Sequence, residues 1–340
     1  MVFSRELSEE VRRIHYTSIV VDGCSFFCEG YSENLESSGI TVLNITVPFP
    51  SDDIGQAIKR IADYYHVITN DPKLRLIRTV DDIYHAKKDG AVGIIIGAQN
   101  SSLFKYDFIG SIVEVFYRLG LRIAILAYNN RNFAADGCIT GDNAGLSREG
   151  RILIKELNRH GIVVDCSHTG ERSSLEAIEF SEKPCIFSHS NPKVRSNQPG
   201  NITDAQIKSV ASRGGVVGLT PFPPMNWNGS KIPPNLDDFL DNIEYVVDLV
   251  GIDHVAIGTD KEATPGAYPR EVIMQELDTL VLSVGDYYNS FIGNLEALDL
   301  DGFKDLVSCF INSLQKSLRL DKTILASDLC NCLMTQDTST

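Results

Sequence analysis

The sequence predicts an α/β fold, a closed (β/α)8 barrel of the TIM type with an extra C-terminal helical layer. Short runs rich in Val, Ile and Leu recur along the chain, and longer segments of helical periodicity separate them, which is the pattern of parallel strands joined by crossover helices. No G-x-G-x-x-G turn follows the first run, so a barrel suits the chain better than an open, doubly wound sheet.

Eight such runs can be counted: Ser18–Asp22, Ile40–Val47, Ala91–Gly97, Leu121–Ala127, Gly161–Cys166, Pro184–Ser188, Gly215–Thr220 and His254–Thr259. Helices are expected between them, at Asp52–Val67, Phe108–Leu119, Ser147–Arg159, Arg172–Phe180, Thr203–Arg213 and Leu236–Val250. Start signals support several of these. Ser147 before Glu149, Thr203 before Asp204, and Asn235 before Asp237 and Asp238 place an acceptor or a negative charge at a helix N-terminus. No composition break divides the chain. It reads as one domain, 1–340, with the barrel at about 17–270, helices at about 270–335 and a frayed polar tail at Gln336–Thr340.

Composition narrows the function. Hydrophobic residues at 43% and charged residues at 22% are ordinary for a globular domain and exclude disordered and fibrous classes. A formal charge of −14 with no overriding Lys/Arg cluster excludes a nucleic-acid partner. Met1–Asp22 is charged and amphipathic, and no later run is apolar enough to span a bilayer. No membrane partner and a cytoplasmic location are therefore expected. Cys24, Cys138, Cys166, Cys185 and Cys309 mostly sit in or beside apolar runs without zinc-knuckle spacing, so reduced thiols are expected.

Catalytic groups of a barrel project from the C-terminal ends of its strands. Here those ends read Asp22-Gly23-Cys24, Asn44, Gln99-Asn100, Tyr128-Asn129-Asn130, Ser167-His168, Ser188-His189-Ser190, Thr220 and Asp260. Two histidines on consecutive strands with an aspartate on the last can hold a divalent metal, because imidazole nitrogen and carboxylate oxygen suit zinc, iron or manganese. The alternative at this point is a pair of hydrogen-bonded structural histidines. His15, His66, His85, His160 and His254 fall in helices, at helix ends or at a strand's start, and are expected to be structural.

The strings Gly145–His168 (GLSREGRILIKELNRHGIVVDCSH), Phe187–Ser190 (FSHS), Gly214–Gly218 (GGVVG) and Leu249–Asp260 (LVGIDHVAIGTD) resemble the membrane (renal) dipeptidases of the amidohydrolase superfamily. The resemblance runs with gaps from about Ser18 to about Leu333. It implies a homodimeric barrel in which two zinc ions, bridged by a glutamate and a hydroxide, hydrolyse dipeptides. It places His168 and His189 at the second metal and Asp260 at the first metal and in proton transfer.

Elsewhere the chain departs from that pattern. The family's Asp-Gly-His-x-Asp stands here as Asp22-Gly23-Cys24-Ser25-Phe26, and the bridging glutamate is Gln99. Tyr128 replaces a histidine that steadies the tetrahedral intermediate, the substrate-gripping Arg-Asn pair is Gly200-Asn201, and Phe-Asp-Gly after the last aspartate is Lys261-Glu262-Ala263. Losing the Arg, with Lys261 and Arg195 as candidate neighbours of the site, points to something other than a free C-terminal dipeptide as substrate.

The expectation is a divergent dipeptidase-like enzyme that acts on a small amino-acid- or peptide-derived metabolite with at most one zinc or other divalent metal. Asp260, Tyr128 and Cys24 are the catalytic candidates, and His168 and His189 the metal ligands, with Asp260 and Cys24 as further donors. Gln99, Asn129, Asn201 and Asp22 are the candidates for substrate contact. Cys24 is open to three readings: a thiolate ligand, a small residue filling space left by a histidine, or a nucleophile with a histidine base. The competing functions are a metal-free tautomerase or lyase, a non-catalytic binding protein and, last, a conventional zinc dipeptidase. The segment Phe222–Pro234 (FPPMNWNGSKIPP) is a candidate lid or dimer contact.

Overall fold

The computed structural model describes residues 9–26, 38–105, 108–229 and 234–262. The expected C-terminal helical layer, the polar tail and Cys309 lie outside the described residues. In chain order the elements are α1 (Glu9–Thr17), β1 (Val21–Phe26), β2 (Val42–Thr46), α2 (Ile54–Asn70), β3 (Leu74–Leu76) and α3 (Val80–Asp89). There follow β4 (Val92–Ala98), α4 (Ile109–Arg118), β5 (Leu121–Ile125), α5 (Arg148–His160), β6 (Val163–Asp165), α6 (Glu171–Phe180) and α7 (Asp204–Ser212). The series ends with β7 (Val217–Leu219), α8 (Pro223–Asn226), α9 (Leu236–Val250), β8 (Val255–Ile257) and β9 (Lys261–Glu262).

The strands are parallel, in the order β6-β5-β4-β2-β1-β9, with β7 beside β8. The run at Pro184–Ser188 joins the two groups: Ile186 bridges Asp165 and Phe187 bridges Val217. On the other side Ser25 pairs with Lys261 and Phe26 with Glu262, which closes the (β/α)8 barrel. The register of β1 against β2 shifts between Asp22 and Ser25. Strand β1 also lies later than the apolar run suggests, so Cys24 and Ser25 stand within the strand.

Apolar strands buried on both faces give the barrel an inner and an outer core. One cluster takes Val21, Val42, Ile95, Ile123, Val163, Ile186, Val216 and Ala256 from successive strand segments, together with Ile77, Val80, Ile83 and Ala86. Helix α3 therefore plugs the barrel floor. The larger cluster, which includes Ile61, Ile94, Phe104, Phe116, Leu153, Phe187, Phe239 and Val246, fills the layer between strands and outer helices.

The helix starts expected at Ser147, Thr203 and Asn235 are present. Ser147 accepts from the Gly150 N–H at 2.8 Å, and Thr203 and Asn235 form reciprocal capping boxes with Gln206 and Asp238. Each such cap is worth about 1 kcal/mol. Helix α2 runs past Val67 to Asn70, because the residue disfavoured in helical backbone is Asp71, immediately before Pro72. The short strand β3, absent from the sequence expectation, pairs with Val92–Ile94, and β5 takes the same edge of β4 from Ile96 onward. Three residues are too few to show a period.

Two glycines are needed for close approach rather than for turns. A Cβ on Gly218 or Gly258 would run into the Ser188 carbonyl, so β7 and β8 pack directly on the backbone that presents His189.

Candidate active site

The mouth of the barrel brings together Cys24, Gln99, Tyr128, Asn129, His168, His189 and Asp260. Three of these, Asn129 (φ 58°), His168 (φ 58°) and Asp260 (φ 51°), adopt left-handed backbone just beyond β5, β6 and β8. Non-glycine residues in that region are uncommon and concentrate where a structure must aim a side chain. The neighbouring backbone is tied down to match. Asp165 is 1% exposed, and its Oδ1 accepts from Ser167 N–H at 2.9 Å and Ser188 N–H at 3.1 Å, joining the two histidine-bearing turns.

The histidine rings form one hydrogen-bonded row. His168 Nδ1 meets Asn129 Oδ1 at 2.7 Å, His168 Nε2 meets His189 Nε2 at 2.8 Å, and His189 Nδ1 meets Ser188 Oγ at 2.7 Å. Ser188 Oγ is in turn 3.2 Å from Ser167 Oγ. Tyr128 lies over His168, with ring centroids 4.3 Å apart at 32°. Burial, and then neighbouring His189, push the His168 imidazole well below its ordinary range, so the ring is neutral at pH 7.

Cys24, 2% exposed, faces this row from β1. Its Sγ accepts from Gln99 Nε2 at 3.1 Å and lies 3.6 Å from Asp260 Oδ1. Burial pushes the thiol well above its ordinary range, with Asp260 and Asp22 adding to the effect. A thiol held protonated in this way is a poor nucleophile by itself, whereas a cation would displace the proton. Cys24, His189 and Asp260 each offer one donor atom, all within 4.8 Å of one another.

The other expected contacts have different surroundings. Asp22, 3% exposed, accepts from Cys24 N–H, Thr259 N–H and Thr259 Oγ1 at 3.2, 2.8 and 2.6 Å, which ties β1 to the end of β8. Burial pushes its carboxyl up to about 7 against those three donors, with a smaller push from Asp260. Asn129, 4% exposed, turns its Oδ1 inward to His168. Asn201 is also buried, and its amide is taken up by backbone: Oδ1 accepts from Asn191 N–H at 3.1 Å, while Nδ2 donates to the Ser196 and Met225 carbonyls. Arg195 binds Asp241 at 2.6 Å. His15 and His254, expected to be structural, bond the carbonyls of Ser38 and Gly215.

Sequence reasoning did not single out Asp165, Ser167, Ser188 or Thr259 for the work they do here. The available signal was a polar residue inside or closing an apolar strand run, as in Val163–Ser167. Among the described residues no helix is long and apolar enough to cross a membrane.

Comparisons with known proteins agree with this architecture. The model of the membrane dipeptidase family, peptidase family M19, matches residues 9–271. A Pseudomonas aeruginosa amidohydrolase structure superimposes with a TM-score of 0.82 at 28% identity, covering 96% of this chain and 98% of that one. A Rhodobacter sphaeroides metallo peptidase bound to a phosphinate mimic of L-Ala-D-Ala shares the fold, with a TM-score of 0.71 at 17% identity over 93% and 99% of the two chains. Among curated proteins, dipeptidase verJ of Clonostachys rogersoniana is 30% identical over 55% of this chain and 48% of its own length. Dipeptidase tcpJ of Claviceps purpurea is 26% identical over 61% and 48%. The chain thus spans about half the length of these curated relatives. With the family model matching well over half of it, the chain belongs to the membrane dipeptidase family, M19.

Proposed function

We propose that the protein hydrolyses the amide of a small peptide-like or amino-acid-derived substrate, using one divalent cation in place of the family's pair. The observation that carries this reading is the donor cluster of Cys24, His189 and Asp260, with His168 Nε2 adjoining His189 Nε2. A tetrahedral zinc with sulfur at about 2.3 Å and oxygen at about 2.0 Å sets those two donors about 3.5 Å apart. Cys24 Sγ and Asp260 Oδ1 are 3.6 Å apart. Two imidazoles on one zinc stand about 3.3 Å apart, so the 2.8 Å His168–His189 contact would open by about half an ångström. Cys24, His189 and Asp260, whose donor atoms lie within 4.8 Å of one another, therefore supply a donor set for one cation, with His168 adjoining it through His189. Gln99, a neutral amide turned to the Cys24 sulfur, is a poor bridge for a second.

When bound, a divalent cation polarises the scissile carbonyl and activates water at neutral pH. The chain's own groups supply the rest. Asp260, held in left-handed backbone by the hydrogen bond from its N–H to the Cys24 carbonyl, is placed to accept a proton and return it to the leaving amine. Tyr128, stacked on His168, offers a phenol at the rim for developing negative charge on the substrate oxygen. Membership of a family of dipeptidases supports a small peptide-like substrate. The replacements at Cys24, Gln99 and Tyr128 support a substrate other than a plain dipeptide.

A metal-free proton-transfer enzyme is the second reading, favoured by the direct 2.8 Å contact between the two imidazoles. A panel of dipeptides and N-acyl amino acids, assayed after chelation and after return of one zinc equivalent, separates the two. Hydrolysis that is lost on chelation, restored by zinc and abolished in His189→Ala supports the cation-dependent hydrolase. Full turnover in the presence of chelator overturns it.

A further inference from the structure

We propose that Asn129 is a positioning residue whose side-chain oxygen holds the proton of His168 on Nδ1, leaving the Nε2 lone pair of that ring directed at His189 and the cation site. The inference rests on the reading above, in which the two imidazoles serve a cation.

A neutral imidazole has one N–H and one lone pair, and the partner of one nitrogen decides the role of the other. His168 Nδ1 lies 2.7 Å from Asn129 Oδ1. Cys138 Sγ approaches the same oxygen at 3.4 Å. Both contacts are made by the side-chain oxygen of Asn129, and an amide oxygen only accepts. His168 is therefore the Nδ1–H tautomer.

His189 has no such lock. Its Nδ1 faces a serine hydroxyl that is itself next to a second hydroxyl, and a hydroxyl can donate or accept. Without a cation, His189 Nε2–H can donate to His168 Nε2 while Ser188 donates to His189 Nδ1. With a cation, His189 can carry its proton on Nδ1 and donate that N–H to Ser188 Oγ, which leaves the Nε2 lone pair free. One imidazole is fixed and the other adjusts.

The loop after β5 is built to hold the fixed end. Asn129 sits in left-handed backbone, and its carbonyl accepts from Ile139 N–H at 3.0 Å. Cys138 N–H bonds the His168 carbonyl at 2.7 Å, and Gly137 bridges Thr169. A Cβ on Gly137 would strike the Asn129 backbone, so the loop folds tightly back on itself at Asn129. Partners that orient a ligating imidazole in this way typically change metal affinity about 10–100-fold when removed.

The test is nitrogen NMR of ¹⁵N-labelled, metal-stripped protein at pH 8, which reads the protonated ring nitrogen of His168, paired with zinc titration. The variants are Asn129→Gly, which keeps the left-handed backbone and deletes the acceptor, and Asn129→Asp, which keeps an oxygen in place. The proposal expects Nδ1–H in wild type and in Asn129→Asp. It expects a shift toward Nε2–H in Asn129→Gly, with zinc affinity lower by about 10–100-fold. Nε2–H in wild type, Nδ1–H persisting in Asn129→Gly, or undiminished zinc affinity in that variant would overturn it. If Asn129→Gly does not fold, the wild-type spectrum alone decides the tautomer. If wild type binds no zinc, the hydrolase reading falls while the spectra still decide the role of Asn129.

Discussion

Asp22→Asn should remove a pH dependence that is built into the barrel seam. The Asp22 carboxyl is 3% exposed, and burial pushes it up to about 7 from the 3.8 of a solvated aspartate. Between those two values the folded chain holds a proton that the unfolded chain has released. Stability is then fully present below pH about 3.8 and falls as pH rises toward 7. Three pH units at about 1.4 kcal/mol each give about 4 kcal/mol, of which about 3 kcal/mol falls between pH 5 and pH 8. Asparagine does not titrate in this range. Its oxygen can accept from the Cys24 and Thr259 N–H groups, and its amide can donate to Thr259 Oγ1, so the seam between β1 and β8 keeps its bonds. Urea unfolding of chelated wild type and variant at pH 5, 6, 7 and 8 measures the effect. The variant should gain on wild type by about 3 kcal/mol across the series. A difference that stays constant with pH would mean that the Asp22 carboxyl is not raised in the folded chain.

Three further outcomes follow from the same geometry. Gly258→Ala puts a methyl against the Ser188 carbonyl, so it should destabilise by about 1–3 kcal/mol in urea and weaken zinc binding through the displaced His189; unchanged binding would count against the packing argument. Asp165→Ala leaves the Ser167 and Ser188 N–H groups unpaired, at about 1–3 kcal/mol each, whereas Asp165→Asn should cost less because it retains an acceptor. Cys24 in chelated protein should react with iodoacetamide at pH 8 more slowly than in the unfolded chain, because burial and the neighbouring carboxylates keep it protonated; mass spectrometry of the labelled peptides would show a faster rate if that is wrong.

The barrel was readable because its information is periodic. Eight apolar runs separated by amphipathic segments place the strands, and Ser147, Thr203 and Asn235 mark helix starts by their own chemistry. Strand β3 and the later position of β1 were not readable, since three residues carry no period and the shifted register at Asp22–Ser25 has no sequence mark. At the site, the polar residues closing each run led to Cys24, Gln99, Tyr128, His168, His189 and Asp260, which the barrel gathers at one mouth. What each group faces is a tertiary fact. Nothing in the local sequence shows that Asn129 turns to His168, that Asn201 turns to the backbone of Ser196 and Met225, or that Asp165 ties two turns together.

The proposed chemistry depends on one cation held by Cys24, His189 and Asp260, with His168 adjoining. Its most direct test is elemental analysis of the purified protein with cobalt substitution of the stripped protein. One equivalent of bound metal per chain is expected, with a thiolate-to-cobalt charge-transfer band that disappears in Cys24→Ser. Two equivalents, none, or a cobalt spectrum unchanged by Cys24→Ser would contradict it.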